Sequence, residues 1–459
     1  MLSTLPLTLL AVLPLVSVWA APSCSLRSSS ASASGISQSP SGSSGSSPSS
    51  SNSSGSGTNG AGGDIVSMAW YTGWHSTYLS PQDVSWSNTT TPDVNTLALT
   101  SEDTTLLPEI VQNAHANGVK AMLTVGGWSG SQYFSTAVAT AANRTAFVGA
   151  VLGLVKQYNL DGIDFDWEYP GRLGVSCNMI SDSDSANFLT FLQTLRAEPA
   201  AKNLTISAAV GIPVFTGSNG SPMTDVSAFA SVLDFVEIMD YDVWGTWSGS
   251  AGVGPNAPLN DSCSTHQAGS AVSAVDNWTK AGFPANQIVL GVASYGHSFL
   301  VTPDNAFSPT GSTTLASYPL FNTTYQPEGD SWDVDAPAGT DQCGNATTGG
   351  WDGLWYFRGL FEAGGFLTGN GTVASGIDYR FDSCSQTPYV YNPNTEVMVS
   401  FDNADSFAAK GNYIKQAGLR GFAMWEAAGD YEDILLDAIN NAIGVQKVST
   451  FDVVSYTPF

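Results

Sequence analysis

Basic residues are scarce. Fourteen Lys and Arg stand against 39 Asp and Glu, for a formal net charge of −25. A surface of that sign repels phosphate backbones and anionic lipid, which argues against nucleic acid and membrane as partners. It suits a neutral or cationic ligand and an acidic working pH. Long apolar runs are also missing. Beyond residue 20 no stretch reaches the roughly 18 apolar residues of a membrane helix, and Val448 to Phe459 carries no apolar anchor tail. Histidine (four) and cysteine (five) are few, and no two cysteines lie close together. Metal ligation is therefore not expected, nor is any cofactor.

The ends read differently from the middle. Leu5 to Trp19 is mostly apolar, and Val18-Trp19-Ala20 offers small residues for cleavage, so residues 1–20 read as a signal peptide. The expected product is secreted and soluble. Residues 21–63, rich in Ser and Gly, cannot offset their ordering entropy by burial and read as a disordered linker. Residues 446–459 read as a C-terminal tail. Cys177, Cys263, Cys343 and Cys384 lie in the folded part and suggest two disulfides with three possible connectivities. Cys177–Cys263 with Cys343–Cys384 is the preferred pairing, and Cys24 is left over. Sequons at Asn88, Asn143 and Asn277 suit surface N-glycosylation.

Between these ends, short apolar strands alternate with longer helical patterns. Strands are expected at 65–71, 94–99, 120–125, 160–168, 204–210, 235–241, 288–294 and 419–425. Alternation of this kind implies a parallel sheet, and eight units suggest an α/β fold, a (β/α)8 TIM barrel over 64–300 and 397–445. The gap between the last two strands is too long for one crossover. Residues 301–396 are therefore expected to form a small α+β insertion domain between strand 7 and strand 8, making one wall of a cleft.

The stretch Leu160 to Pro170 carries the chemistry. With the two-residue period of a strand, Asp164, Asp166 and Glu168 share one face, and Ile163, Phe165 and Trp167 the other. Burying unpaired carboxylates is costly, so acids crowd indoors mainly where chemistry needs them. Acids so spaced cannot all ionise easily, and one should keep a proton near neutral pH. Glu168, last in the row, is the natural proton donor. A calcium loop starting at Asp164 would need Gly at its sixth position and Glu at its twelfth; Tyr169 and Val175 stand there. Later, Met239 and Tyr241 share an inward face, where a Tyr hydroxyl could bond a substrate carbonyl. Trp425 ends the last strand, and Gly126-Gly127 permits close backbone approach.

Asp161, Asp164, Asp166 and Glu168 match D-x-x-D-x-D-x-E, and this stretch resembles the signature of the family 18 glycoside hydrolases, the chitinases. The resemblance covers about 64–445. Met239-Asp240-Tyr241-Asp242 resembles the family's M-x-Y-D, which implies that Tyr241 and Asp242 hold the acetamido group of the reacting sugar. By the same resemblance Trp425 floors the subsite at the cleaved bond. Thr124-Val125-Gly126-Gly127 stands where the family has S-x-G-G, followed by Trp128. Tyr295-Gly296-His297-Ser298-Phe299 is similar to Y-G-R-S-F with His297 for Arg, and Trp70, before Tyr71, replaces an inward Tyr. The resemblance implies retaining, substrate-assisted hydrolysis of β-1,4-linked N-acetylglucosamine polymers without a metal. Glu168, Asp166, Asp164 and Tyr241 would be catalytic. Trp425, Asp242, Met239, Trp128, Gly127, Tyr71, Trp70, Asp161 and Tyr295 would bind substrate. The expected partners are chitin and chito-oligosaccharides, met as a monomer. Two other functions use this fold: a non-catalytic chitin-binding lectin, and an endo-β-N-acetylglucosaminidase acting on N-glycans. Retention of Glu168 speaks against the first, and a cleft-deepening insertion against the second.

Overall fold

Runs of β-branched and aromatic residues, set between longer helical stretches, fold as their periods require. The computed structural model describes residues 15–18, 65–72, 103–309, 311–362, 365–445 and 453–457. The chain lays down β1 (Val66–Thr72), β2 (Lys120–Gly126), β3 (Gly162–Asp166), β4 (Thr205–Val210), β5 (Phe235–Ile238) and β6 (Ile288–Ala293). An excursion follows, with β7 (Tyr295–Leu300), β8 (Gly339–Thr340), β9 (Ala346–Thr347), β10 (Leu354–Tyr356), β11 (Asp378–Asp382), β12 (Thr387–Asn392) and β13 (Val397–Ser400). The chain then returns through β14 (Gly421–Trp425) and β15 (Val453–Thr457). Around the ring the order is β1, β15, β2, β3, β4, β5, β6, β14 and back to β1, every pair parallel. This is a closed (β/α)8 barrel, whose strand C-termini surround the mouth.

One ring position differs from expectation. The strand expected at 94–99 lies outside the described residues. The place between β1 and β2 is taken by β15, from a segment expected only as a tail. Val-Val-Ser-Tyr-Thr has strand composition, and closure of the ring pairs both of its edges. The expected signal peptide, linker, Cys24 and Asn88 also lie outside the described residues. The exception is Leu15–Val18, a short strand antiparallel to β2.

The helices α1 (Asp103–Ala116), α2 (Ala141–Tyr158), α3 (Asp184–Ala197), α4 (Ala271–Lys280), α5 (Ala404–Ala417) and α6 (Ile434–Ile443) supply the outer layer. No helix among the described residues is long and apolar enough to cross a membrane. Behind β3 the outer layer is aromatic. Phe165 meets Phe188 and Phe191 of α3 edge-on at 6.1 and 5.2 Å, and Trp167 stacks on Phe134 at 5.1 Å. Ile163, Phe165 and Trp167 are all buried, each contributing about 2 kcal/mol or more of apolar burial. That packing holds the acids on the opposite face in place. Lys410 of α5 is fully buried and bonds Asp402 at 2.6 Å, with buried Asp240, just past β5, within reach of its charge.

The excursion builds a second, antiparallel sheet in the order β10, β7, β13, β12, β11. It takes in Tyr295–Leu300 and Val397–Ser400, on either side of the 301–396 span read from sequence. Only Ser294 separates β6 from β7, so a barrel strand runs straight into the second sheet. The disulfides correct the expected pairing. Cys177 joins Cys343 and Cys263 joins Cys384, with Cα separations of 5.3 and 6.4 Å. The reason is tertiary: the loop leaving β3 meets the β8–β9 hairpin, and the loop after β5 meets the turn between β11 and β12.

Candidate active site

The row of acids lines the barrel interior. Asp164 is fully buried; Thr124 Oγ1 donates to its Oδ2 at 2.6 Å and Ser207 Oγ to its Oδ1 at 2.9 Å. Burial lifts its carboxyl to about 6 against the pull of those two donors. Asp166 sits higher in the row and is pushed well above the usual carboxylate range, first by burial and then by the charges of Glu168 and Asp164. Glu168 lies just past β3. Its N–H donates to Ser131 Oγ (2.8 Å), and Asn178 Nδ2 donates to its carbonyl (2.9 Å). Burial pushes its carboxyl up to about 7; the Tyr169 hydroxyl bond and the Arg172 charge oppose this, while Asp242 adds to it. A carboxyl poised there can both give and take a proton near neutral pH.

Gly126 is required where it stands. It has φ +124°, and a Cβ would come within 2.0 Å of the Asp166 carbonyl oxygen. Gly127 donates its N–H to that same oxygen at 2.7 Å. The two glycines thus let the backbone beside β2 close against the acids. Trp128, next in sequence, projects into solvent with 54 % of its surface exposed.

Opposite the acids, Tyr241 packs edge-on to Tyr295 (6.1 Å), which in turn meets Tyr356 (6.3 Å) and His297 (5.9 Å). Burial raises the Tyr241 hydroxyl well above its ordinary value, so it stays a donor. Asp242 adopts φ +53°. Its N–H donates to Asn256 Oδ1 (2.9 Å), His297 Nε2 pairs with its Oδ1 (2.8 Å), and the Tyr295 hydroxyl donates to it. About half of its side chain stays open to the cleft (51 %). His297, in the place of an expected guanidinium, is therefore a clamp on Asp242. Trp425 shares its register with Trp70 across β14 and β1, ring centres 5.8 Å apart. Met239 is partly buried against the core. Tyr71 lies within β1, and its side chain is outside the described residues.

Asp161 is the exception, and its expected place at the substrate is corrected. It precedes β3, at the strand ends opposite the mouth. There it accepts from the Ala121 N–H (2.8 Å) and pairs with His115 of α1 (2.8 Å). It fastens α1 to the start of the barrel strands. The spacing D-x-x-D could not reveal this, because those three residues of strand rise carry the first acid to the far end.

Several site residues escaped the sequence reading. Asn256 is fully buried and braces Asp242, accepting its N–H while donating to the Tyr295 carbonyl (2.9 Å). Tyr169 bonds Glu168 and carries Arg172 over its ring at 3.7 Å. Glu237 is fully buried in the same layer as Asp166, across Ala209; the alternation that turned Met239 and Tyr241 inward already pointed to it. Trp247, 62 % exposed, stands edge-on to His297 at 5.1 Å. Among the described residues, Cys263, Asp382 and Cys384 form the one cluster of metal-ligating type, and its cysteines are joined in a disulfide.

The model of the glycosyl hydrolases family 18 matches residues 68–430. The chain belongs to that family. A chitinase-like effector of Moniliophthora roreri is 47 % identical over 395 residues, spanning 84 % of this chain and 94 % of that protein. Chitinase A1 of Niallia circulans is 29 % identical over 68 % of this chain and 41 % of its own length. Among solved structures, a chitinase from Rhizomucor miehei superposes with a TM-score of 0.67 at 34 % identity, covering 76 % of this chain and 91 % of the other. The barrel is thus the family's fold, carried by this chain over residues 68–430.

Proposed function

We propose that the protein is a secreted chitinase that hydrolyses β-1,4-linked N-acetylglucosamine chains by a retaining, substrate-assisted route. The observation that carries this reading is Glu168, a buried carboxyl pushed up to about 7 at a barrel mouth, with Asp166 beneath it. In this scheme Glu168 protonates the glycosidic oxygen. The carbonyl oxygen of the substrate's acetamido group attacks the anomeric carbon. Asp166 and Tyr241 orient that group and stabilise the positive charge of the cyclic intermediate, with Asp242 holding the sugar. Glu168 then takes a proton from water, which opens the intermediate with net retention. Asp164 accepts part of the proton load from Asp166. Trp425, Trp128, Trp247 and Tyr295 offer ring faces and hydroxyls to the chain.

A second reading is favoured by one observation. Two relatives at 47 % identity carry the name chitinase-like effector. On that reading the protein binds chito-oligosaccharides without cutting them. A fluorogenic chitotriose reporter separates the two. Release of the fluorophore by the wild-type chain and its loss in Glu168→Gln supports hydrolysis. Tight binding of chitohexaose with no release supports the second reading and removes the first.

A further inference from the structure

The link between Cys177 and Cys343 takes part in no step above, yet its two ends belong to opposite sides of the reacting position. Cys177 lies on the loop that leaves β3 after Glu168. That loop is fastened beside the acid: Asn178 Nδ2 holds the Glu168 carbonyl, and the Met179 N–H donates to the Gln132 carbonyl at 2.9 Å. Gly174 packs against the same Glu168 carbonyl and the Trp128 ring. Cys343 lies in the turn between β8 and β9. The base of that hairpin stands on the Asp242 side. Leu354 is in register with His297, the Ser298 N–H donates to the Gly353 carbonyl at 2.9 Å, and Asp352 lies within reach of the His297 charge. His297 in turn grips Asp242.

The segment from Asp333 to Asp352 thus starts near His297, the residue that grips Asp242, and is bonded at its tip to the loop of Glu168. Asn345 Nδ2 adds a second tie, to Ser176 Oγ at 3.3 Å. The two anchoring strands, β3 and β6, stand three places apart in the ring of eight. From Asp352 to Cys343 the chain can extend on the order of 30 Å, ample to cross a cleft that seats one sugar chain. Exposed Trp128 and Trp247 flank the two feet of this span.

We infer that the disulfide-tied hairpin is a strap across the cleft, and that it makes the protein select chain ends. A chito-oligosaccharide, or the free end of a polymer, threads beneath it; the middle of a long chain does not enter. This rests on the chitinase reading and names the substrate form that the site takes.

The test compares the full-length wild type with Cys177→Ser/Cys343→Ser, and with Cys263→Ser/Cys384→Ser as the control for loss of a disulfide. Each acts on soluble high-molecular-weight glycol chitin and on chitohexaose. The viscosity lost per new reducing end should rise several-fold in the first variant and stay at the wild-type value in the control, with both still cutting the hexamer. An unchanged ratio in the first variant, or an equal rise in both, overturns the strap while leaving the hydrolase standing. If no form cuts the hexamer, the hydrolase reading fails by itself, and the strap is read by binding. A fluorescent chitohexaose should then leave the wild type several-fold more slowly than it leaves Cys177→Ser/Cys343→Ser, and equal rates overturn the strap.

Discussion

Replacing Glu168 by Gln should make the protein inactive and, above neutral pH, harder to melt. The carboxyl is lifted from its ordinary 4.5 to about 7, chiefly by burial. The folded chain therefore keeps this proton to about pH 7, whereas the unfolded chain releases it near 4.5. Between those values the folded state binds more protons, so stability falls as pH rises. The loss is absent below about pH 4.5 and complete above about pH 7. Ionising the group in the folded chain costs about 3 kcal/mol. Glutamine has nearly the same shape, cannot ionise, and still offers an oxygen to the Tyr169 hydroxyl. In a chain of this size each kcal/mol moves the melting temperature by only about 1 °C. The variant should melt about 3 °C above the wild type at pH 8 and together with it at pH 4.5, by calorimetry at one scan rate. Turnover of the chitotriose reporter should fall by about 10²- to 10⁴-fold. A melting difference that is flat across this range, or of opposite sign, would refute the claim that Glu168 is held protonated by its surroundings.

Arg172 favours the ionised form of Glu168 from its seat over Tyr169. Arg172→Gln should thus move the alkaline limb of kcat/KM, centred near pH 7, to higher pH, as followed in a pH–rate profile; a shift to lower pH contradicts this. Thr124→Val removes the 2.6 Å donor to Asp164 and should cost about 1–3 kcal/mol at neutral pH, read as a lower denaturant midpoint; an unchanged midpoint removes Thr124 from that role. Lys410→Met leaves Asp402 in a dry site without its cation, a loss of about 3–5 kcal/mol. Burial holds Asp402 and Asp240 above the ordinary carboxylate range, so acid should protonate them and restore part of the lost stability. Equal destabilisation at pH 5 and pH 8 would exclude that account.

Much of the site was legible in a few residues. A two-residue period from Ile163 to Glu168 separates an apolar face from an acidic one, and both faces lie where that period puts them. Gly126 and Gly127 mark a close backbone approach, which the Asp166 carbonyl makes. Thr124 keeps the hydroxyl that bonds Asp164. These are local facts, set by strand geometry and by the size of one side chain. Asp161 belongs to the same motif yet faces the other end of the barrel, because a motif's spacing does not say which of its members reach the mouth.

What the chain's order of residues determined alone was the alternation of strand and helix, the inward row of acids and the apolar face behind it. What only the tertiary structure decided was which distant segments meet. β15 lies between β1 and β2, Cys177 finds Cys343, Asn256 braces Asp242, and Glu237 comes level with Asp166 across Ala209. Periodicity is a property of neighbouring residues and survives in the sequence. Ring closure and covalent pairing depend on the whole chain burying its apolar faces at once, and no short stretch records that outcome.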